Sequence, residues 1–149
     1  MYFEELKIGM TRQLMPVVIE KEKMIAFARD YDPIPLHTDE EYAKTTPFGA
    51  LIAPGVMSFM SVWAKYLEVD FFGEELLAGK STKIEWLKPV YPGDTLTGTA
   101  TVTGLTRRSL RNGIVEISLS ILNQDRNLVM TAVTEAIVKC RQANDDIKR

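Results

Sequence analysis

Residues 51–69, LIAPGVMSFMSVWAKYLEV, run almost unbroken in apolar side chains. At 100° per residue, Val56, Met57, Phe59, Met60, Val62, Trp63, Tyr66 and Leu67 leave little of a helix circumference polar, so this segment is expected to be a helix buried on most of its sides. Such a helix is a core element that a sheet can wrap. Pro54 and Gly55 stand at its start, Pro suiting a first turn and Gly letting another group approach the backbone closely. The N–H groups of that first turn have no partner within the helix and point at whatever binds there.

Downstream the apolar period changes from helical to two. Residues 81–87 (STKIEWL), 95–105 (TLTGTATVTGL), 114–122 (IVEISLSIL) and 128–141 (LVMTAVTEAIVKCR) are alternating and rich in β-branched residues. The separators KPVYPGD, RRSLRNG and NQDRN read as turns, with Asn112-Gly113 and the NQDRN stretch as hairpin signals, so the four strands are expected to be antiparallel neighbours. Residues 70–79 read as a loop. Upstream, a short helical turn precedes a β-branched segment near residue 12 suited to an edge strand, where Pro16 is tolerated. EKEKMIAFAR, residues 20–29, has helical spacing, lacks a good N-cap, and must end near Tyr31 because Asp32 precedes a proline. The sum is an α+β class: a strongly bent antiparallel sheet around one central helix.

Composition narrows the classes. A chain of 149 residues suits one domain, 1–149, with a polar tail over 141–149 expected to be frayed. A formal net charge of −2 gives no reason to expect nucleic acid as a partner. One cysteine, Cys140, allows neither an internal disulfide nor a cysteine-based metal site, and is expected to be a small apolar residue on a strand. No signal peptide and no run of ~20 apolar residues is visible, so the expected setting is soluble and cytoplasmic, away from any membrane.

The chemistry concentrates in residues 31–55, YDPIPLHTDEEYAKTTPFGALIAPG, which hold the only histidine, His37. Pro33 and Pro35 fix their own φ and push Asp32 and Ile34 out of helical conformations. An acid and an imidazole five residues apart in a stiffened loop suit acid–base work. Thr38 to Glu41 fits a capping box, with a short helix expected over 39–44 and the imidazole beside its N-terminus, where the dipole favours the neutral ring. Each residue also has a plainer reading. His37 serves equally as a hydrogen-bonding loop histidine, Asp32 as a turn residue, and Gly55 as a close-packing position. Met57, Phe59, Met60 and Trp63 read as core, with a tunnel lining as the alternative.

Taken together, Asp-x-x-Pro-Leu-His-x-Asp, Pro-Phe-Gly, Leu-Ile-Ala, Gly-Val-Met and Lys-Pro-Val-x-Pro-Gly-Asp-Thr-Leu resemble the MaoC-like family of (R)-specific enoyl-CoA hydratases and dehydratases, over about residues 12–140. The resemblance implies the hot-dog fold, a bent antiparallel sheet around a long helix, and a dimer. It implies Asp32 and His37 as the catalytic pair. For a thioester oxygen gathering charge, the backbone N–H groups at Gly55, at the start of the long helix, are the natural oxyanion donors. The substrate is then an enoyl or 3-hydroxyacyl thioester of coenzyme A or acyl-carrier protein, with no metal and no other cofactor. Ile34 stands where the hydratase motif has Asn, Tyr31 where Gly is usual, and Pro54 where His is frequent. Ile34 keeps open a non-catalytic acyl-CoA-binding or partner subunit, and a hot-dog thioesterase, the same fold with differently placed acids, is a further alternative. Arg107, Arg108 and Arg111 read as a solvated turn; one of them, or Lys88, reaching the phosphates of coenzyme A is the alternative.

Overall fold

The computed structural model describes residues 1–142. A helical turn at Phe3–Glu5 leads into β1 (Thr11–Val18), α1 (Lys21–Tyr31), the short helices α2 (Pro35–Thr38) and α3 (Glu40–Lys44), and the long α4 (Gly55–Val69). A second turn at Gly73–Glu75 precedes β2 (Leu76–Trp86), β3 (Thr95–Arg107), β4 (Asn112–Leu122) and β5 (Leu128–Lys139). All pairings are antiparallel, in the order β1-β3-β4-β5-β2. This is the α+β, hot-dog arrangement that the sequence implied. Phe59, Val62 and Tyr66 of α4 share one buried cluster with Leu14, Val102, Ile117 and Met130 of the sheet.

Period-two alternation explains which face is inside. Val115, Ile117, Leu119 and Ile121 of β4 are buried, while Glu116, Ser118 and Ser120 point to the other face. β1 is an edge strand, as expected, and its register shifts between Leu14 and Val17. Pro16, which has no N–H to give a ladder, falls within that irregularity.

Several expectations are corrected. β2 is not a neighbour of β3; it pairs with β5 at the far edge. The reason lies in residues 87–94, whose polar groups are claimed by other parts of the chain. Leu87 and Lys88 N–H both reach the Val129 carbonyl, the Val90 carbonyl accepts from Ala53, and Gly93 N–H donates to Ile19. The segment therefore crosses the end of the sheet instead of closing a hairpin. β2 also starts at Leu76, inside the stretch read as a loop, because 76–79 pair with 136–138 across register shifts. Asn112-Gly113 opens β4 and is not the turn. The turn is residues 108–111, where Arg108 and Ser109 N–H bond the Asn112 carbonyl. NQDRN does turn, with the Asn123 side-chain oxygen accepting from Asp125 and Asn127. Cys140 lies fully buried one residue beyond β5.

α4 is covered on one side only. Met57, Ser58, Phe59, Val62 and Tyr66 are buried, but Val56, Met60 and Leu67 are about half exposed. Of the tail expected to fray, Arg141 is held by Glu4 and Glu5, and 143–149 lie outside the described residues. Among the described residues, no helix is long and apolar enough to cross a membrane.

The tightest local device is the turn Tyr91-Pro92-Gly93-Asp94. Asp94 N–H donates to the Tyr91 carbonyl at 3.0 Å, and Gly93 has φ +88°, the type II pattern of Pro then a left-handed Gly. The Asp94 carboxylate is buried, accepting from Tyr91 N–H and Gln124 Nε2, both at 2.9 Å. Asp94→Ala strands both donors and is expected to destabilise the fold by about 2–3 kcal/mol. Thermal unfolding checks this, with Asp94→Asn, which keeps one acceptor, losing less.

Candidate active site

α1 ends where Asp32 leaves the helical region, at φ −152°, ψ 64°, with its N–H still bonded to the Ala28 carbonyl. Pro35 then starts α2, its fixed φ suiting a first helical position. The single turn of α2 carries His37 inward, to 6% exposure. Its Nδ1 lies 2.7 Å from the Ile52 carbonyl oxygen and its Nε2 lies 3.3 Å from Asp32 Oδ2. A carbonyl only accepts, so Nδ1 carries the hydrogen and donates, and Nε2 is the nitrogen turned to the carboxylate. The Asp32 side chain is 43% exposed, so the pair has one dry and one wet member.

The capping expectation is corrected. Asp39, not Thr38, is the N-cap of α3, its Oδ1 accepting from Tyr42 N–H at 3.1 Å. Thr38 closes α2 and donates from its hydroxyl to the Ile34 carbonyl, while Glu41 pairs with Lys44. Pro35 makes the chain turn once before α3 begins, which moves the cap one residue on. His37 thus sits in the last turn of α2, and the Ile52 carbonyl, not the dipole of α3, sets the ring.

Asp32 and His37 open onto a cleft of about 440 Å³, walled by Phe48, Ile52, Ala53, Gly55, Val56, Ser58 and residues 86–90. The walls are cross-bonded: Ala53 N–H to the Val90 carbonyl at 2.7 Å, and the Tyr91 hydroxyl to the Phe48 carbonyl at 3.0 Å. Gly55 begins α4, as expected, and reaches the cleft. The close-packing reading of Gly55 also applies, since a β-carbon there would stand 2.7 Å from Trp86 Nε1. Ser58 is buried and donates to the Gly55 carbonyl at 2.9 Å.

Ile34 is not among the cleft-lining residues and is 46% exposed. It occupies the N-cap of α2 without a side-chain bond. An Asn at this position would cap that turn, so the departure from the motif bears on local stability. Arg107 is exposed, as the solvated-turn reading expects, and pairs with Glu4. The turn at 108–111 lies at the other end of β3, roughly 40 Å of strand from the cleft end within one protomer. Lys88, in contrast, lines the cleft.

Sequence reading missed the Ile52 carbonyl, Ser58, Phe48 and Trp86. Backbone carbonyls leave no residue signature, and Trp86 read only as a strand residue. A second cavity, about 100 Å³, lies at the far end of α4 against Trp63, Tyr66, Phe71, Phe72 and Leu76. Burial there pushes the Tyr66 phenol up to about 12, so it stays neutral across the physiological range.

The MaoC like domain model matches residues 4–123, and the chain belongs to that family. It is 30% identical over 142 residues to the uncharacterized protein YdeM of Bacillus subtilis, covering 93% of this chain and 99% of that one. Over 105 residues it is 35% identical to an (R)-specific enoyl-CoA hydratase of Rhodospirillum rubrum, covering 70% and 71%. Among solved structures, a monoamine oxidase regulatory protein from Archaeoglobus superposes with a TM-score of 0.91 at 30% identity, covering 95% and 96% of the two chains.

Two substitutions test the local account. Ile34→Asn is expected to stabilise the protein by about 0.5–1 kcal/mol through a new N-cap, read as a raised thermal midpoint. Gly55→Ala is expected to displace the Trp86 indole and lower stability by about 1–3 kcal/mol. The added variant Trp86→Ala should recover much of that loss, and tryptophan fluorescence follows the ring.

Proposed function

We propose that the protein adds water to an enoyl thioester, or removes it from a 3-hydroxyacyl thioester, with Asp32 and His37 as the acid–base pair. The observation that carries this is the pair itself: Nε2 and Oδ2 at 3.3 Å, one ring nitrogen committed to Ile52, both residues on one cleft. Hydration needs a base to deprotonate water and an acid to protonate the α carbon. A water held by the pair gives up a proton to it as the water oxygen bonds to the β carbon, and the pair returns a proton to the α carbon. Atoms balance, and the pair ends as it began. The thioester oxygen gathers charge in between, and the first-turn N–H groups at Gly55 are placed to donate to it.

The position of Ile34 outside the cleft supports the catalytic reading over a non-catalytic one. The (R)-specific enoyl-CoA hydratase relative supports the substrate class.

A homodimer completes the reading. β2 is an edge strand with Leu76, Leu77 and Trp86 exposed, and the half-exposed Val56, Met60 and Leu67 of α4 add to the uncovered apolar surface. Two copies joined antiparallel along β2 cover that edge. Trp86 at one end of β2 lines the cleft, and Leu76 at the other end lines the second cavity. Pairing centred on the middle of β2 would bring the partner's second cavity beside this cleft, as room for an acyl tail.

Purified protein with crotonyl-CoA and longer enoyl-CoAs is expected to lose the enoyl-thioester absorbance, with Asp32→Asn and His37→Gln each lowering the rate by about 10² or more. Wild type inert across chain lengths, or free thiol released instead, would overturn the assignment.

A further inference from the structure

We infer that Lys88 is a specificity residue for the carrier end of the thioester, meeting its phosphate groups at the mouth of the cleft. The inference rests on the proposed thioester chemistry and adds the group that tells a phosphate-bearing carrier from a plain thiol ester. Lys88 is exposed and is the one cationic residue lining the cleft, whose other charged residue is Asp32. Its backbone is fixed: Leu87 and Lys88 N–H share the Val129 carbonyl at 2.9 and 3.3 Å, and Pro89 follows with a locked φ. The ammonium thus swings on a flexible stem from a fixed point on the rim.

Lys21, Lys23, Lys44, Lys65, Lys80 and Lys83 each pair with a carboxylate, and of the remaining described lysines, Lys7, Lys88 and Lys139, only Lys88 lines the cleft. Lys88 has no carboxylate within ion-pair distance among the described residues, so its charge is available to an incoming anion. Its exposure argues against a packing role. A thioester held at Asp32 and His37 must send its carrier arm out through an opening, and the arm of coenzyme A ends in phosphates. An ammonium is a compact point charge suited to them. The arginines at 107–111 do not compete for this role within the protomer, being at the opposite end of β3.

Calorimetry with the saturated ligands butyryl-CoA, butyryl-4′-phosphopantetheine and butyryl-pantetheine tests this without requiring turnover. Wild type is expected to prefer butyryl-CoA over butyryl-pantetheine. Lys88→Ala should shrink that preference about three- to tenfold, and Lys88→Glu should shrink it further; Lys88→Arg should restore most of it. Added salt should weaken butyryl-CoA binding to wild type more than to Lys88→Ala. A loss confined to butyryl-CoA assigns Lys88 to the nucleotide phosphates; a loss shared with the phosphopantetheine ester assigns it to the phosphate common to both carriers. Equal weakening on all three ligands, or an unchanged preference, overturns the inference and leaves the hydratase assignment standing. Wild type that binds none of the three, and turns over no enoyl-CoA, overturns both.

Discussion

The hydrogen bond from His37 Nδ1 to the Ile52 carbonyl joins two segments fifteen residues apart. One is the proline-stiffened turn after α1, and the other is the extended run that leads into α4. The same run donates from Ala53 to the Val90 carbonyl. Residues 51–54 are therefore clamped between the imidazole on one side and the 87–90 segment on the other. The clamp adds to the shared buried core of Met24, Phe59 and Val90 and fixes the ring that faces Asp32. With Nδ1–H committed in this way, Nε2 is left to face Asp32 Oδ2 at 3.3 Å, and because both atoms are acceptors when bare, a hydrogen bond between them needs one proton held by the pair.

This bonding gives a physical account of the sequence motifs. Pro-Phe-Gly and Leu-Ile-Ala, together at 47–53, lie far in the chain from Lys-Pro-Val-x-Pro-Gly-Asp at 88–94, yet Phe48 accepts from Tyr91, Ala53 donates to Val90, and the Asp94 carboxylate ties the turn that ends the last motif. They are parts of one cross-bonded wall. Asp32, His37 and Gly55 were legible as candidates because their residue types carry the chemistry, and the structure brings all three to one cleft. The Ile52 carbonyl was not legible, since every residue has one. Ile34 raises a related point: a motif position gives the residue type but not where its side chain lies, and here it stands at the N-cap of α2, outside the cleft lining.

The sheet divides the same way. Alternation in β3, β4 and β5 was enough to place those strands and their buried faces, because period two and a buried face specify register together. Strand order was not available from alternation. β2 alternates like the rest, yet it lies at the far edge because residues 87–94 give their hydrogen bonds to Val129, Ala53 and Ile19. Long-range backbone bonds of that kind follow from the assembled fold. The exposed stripe of α4 escaped notice because an apolar helix surface has the same sequence pattern whether the sheet or a second copy covers it.

His37 is the only histidine in the chain, so its ring nitrogens give one unambiguous pair of ¹⁵N resonances, and their long-range couplings to the ring protons report the tautomer directly. The clamp requires that the neutral imidazole be held as the Nδ1–H form, with Nε2 bare. A spectrum dominated by the Nε2–H tautomer, or one averaging freely between the two, would contradict the account at its centre.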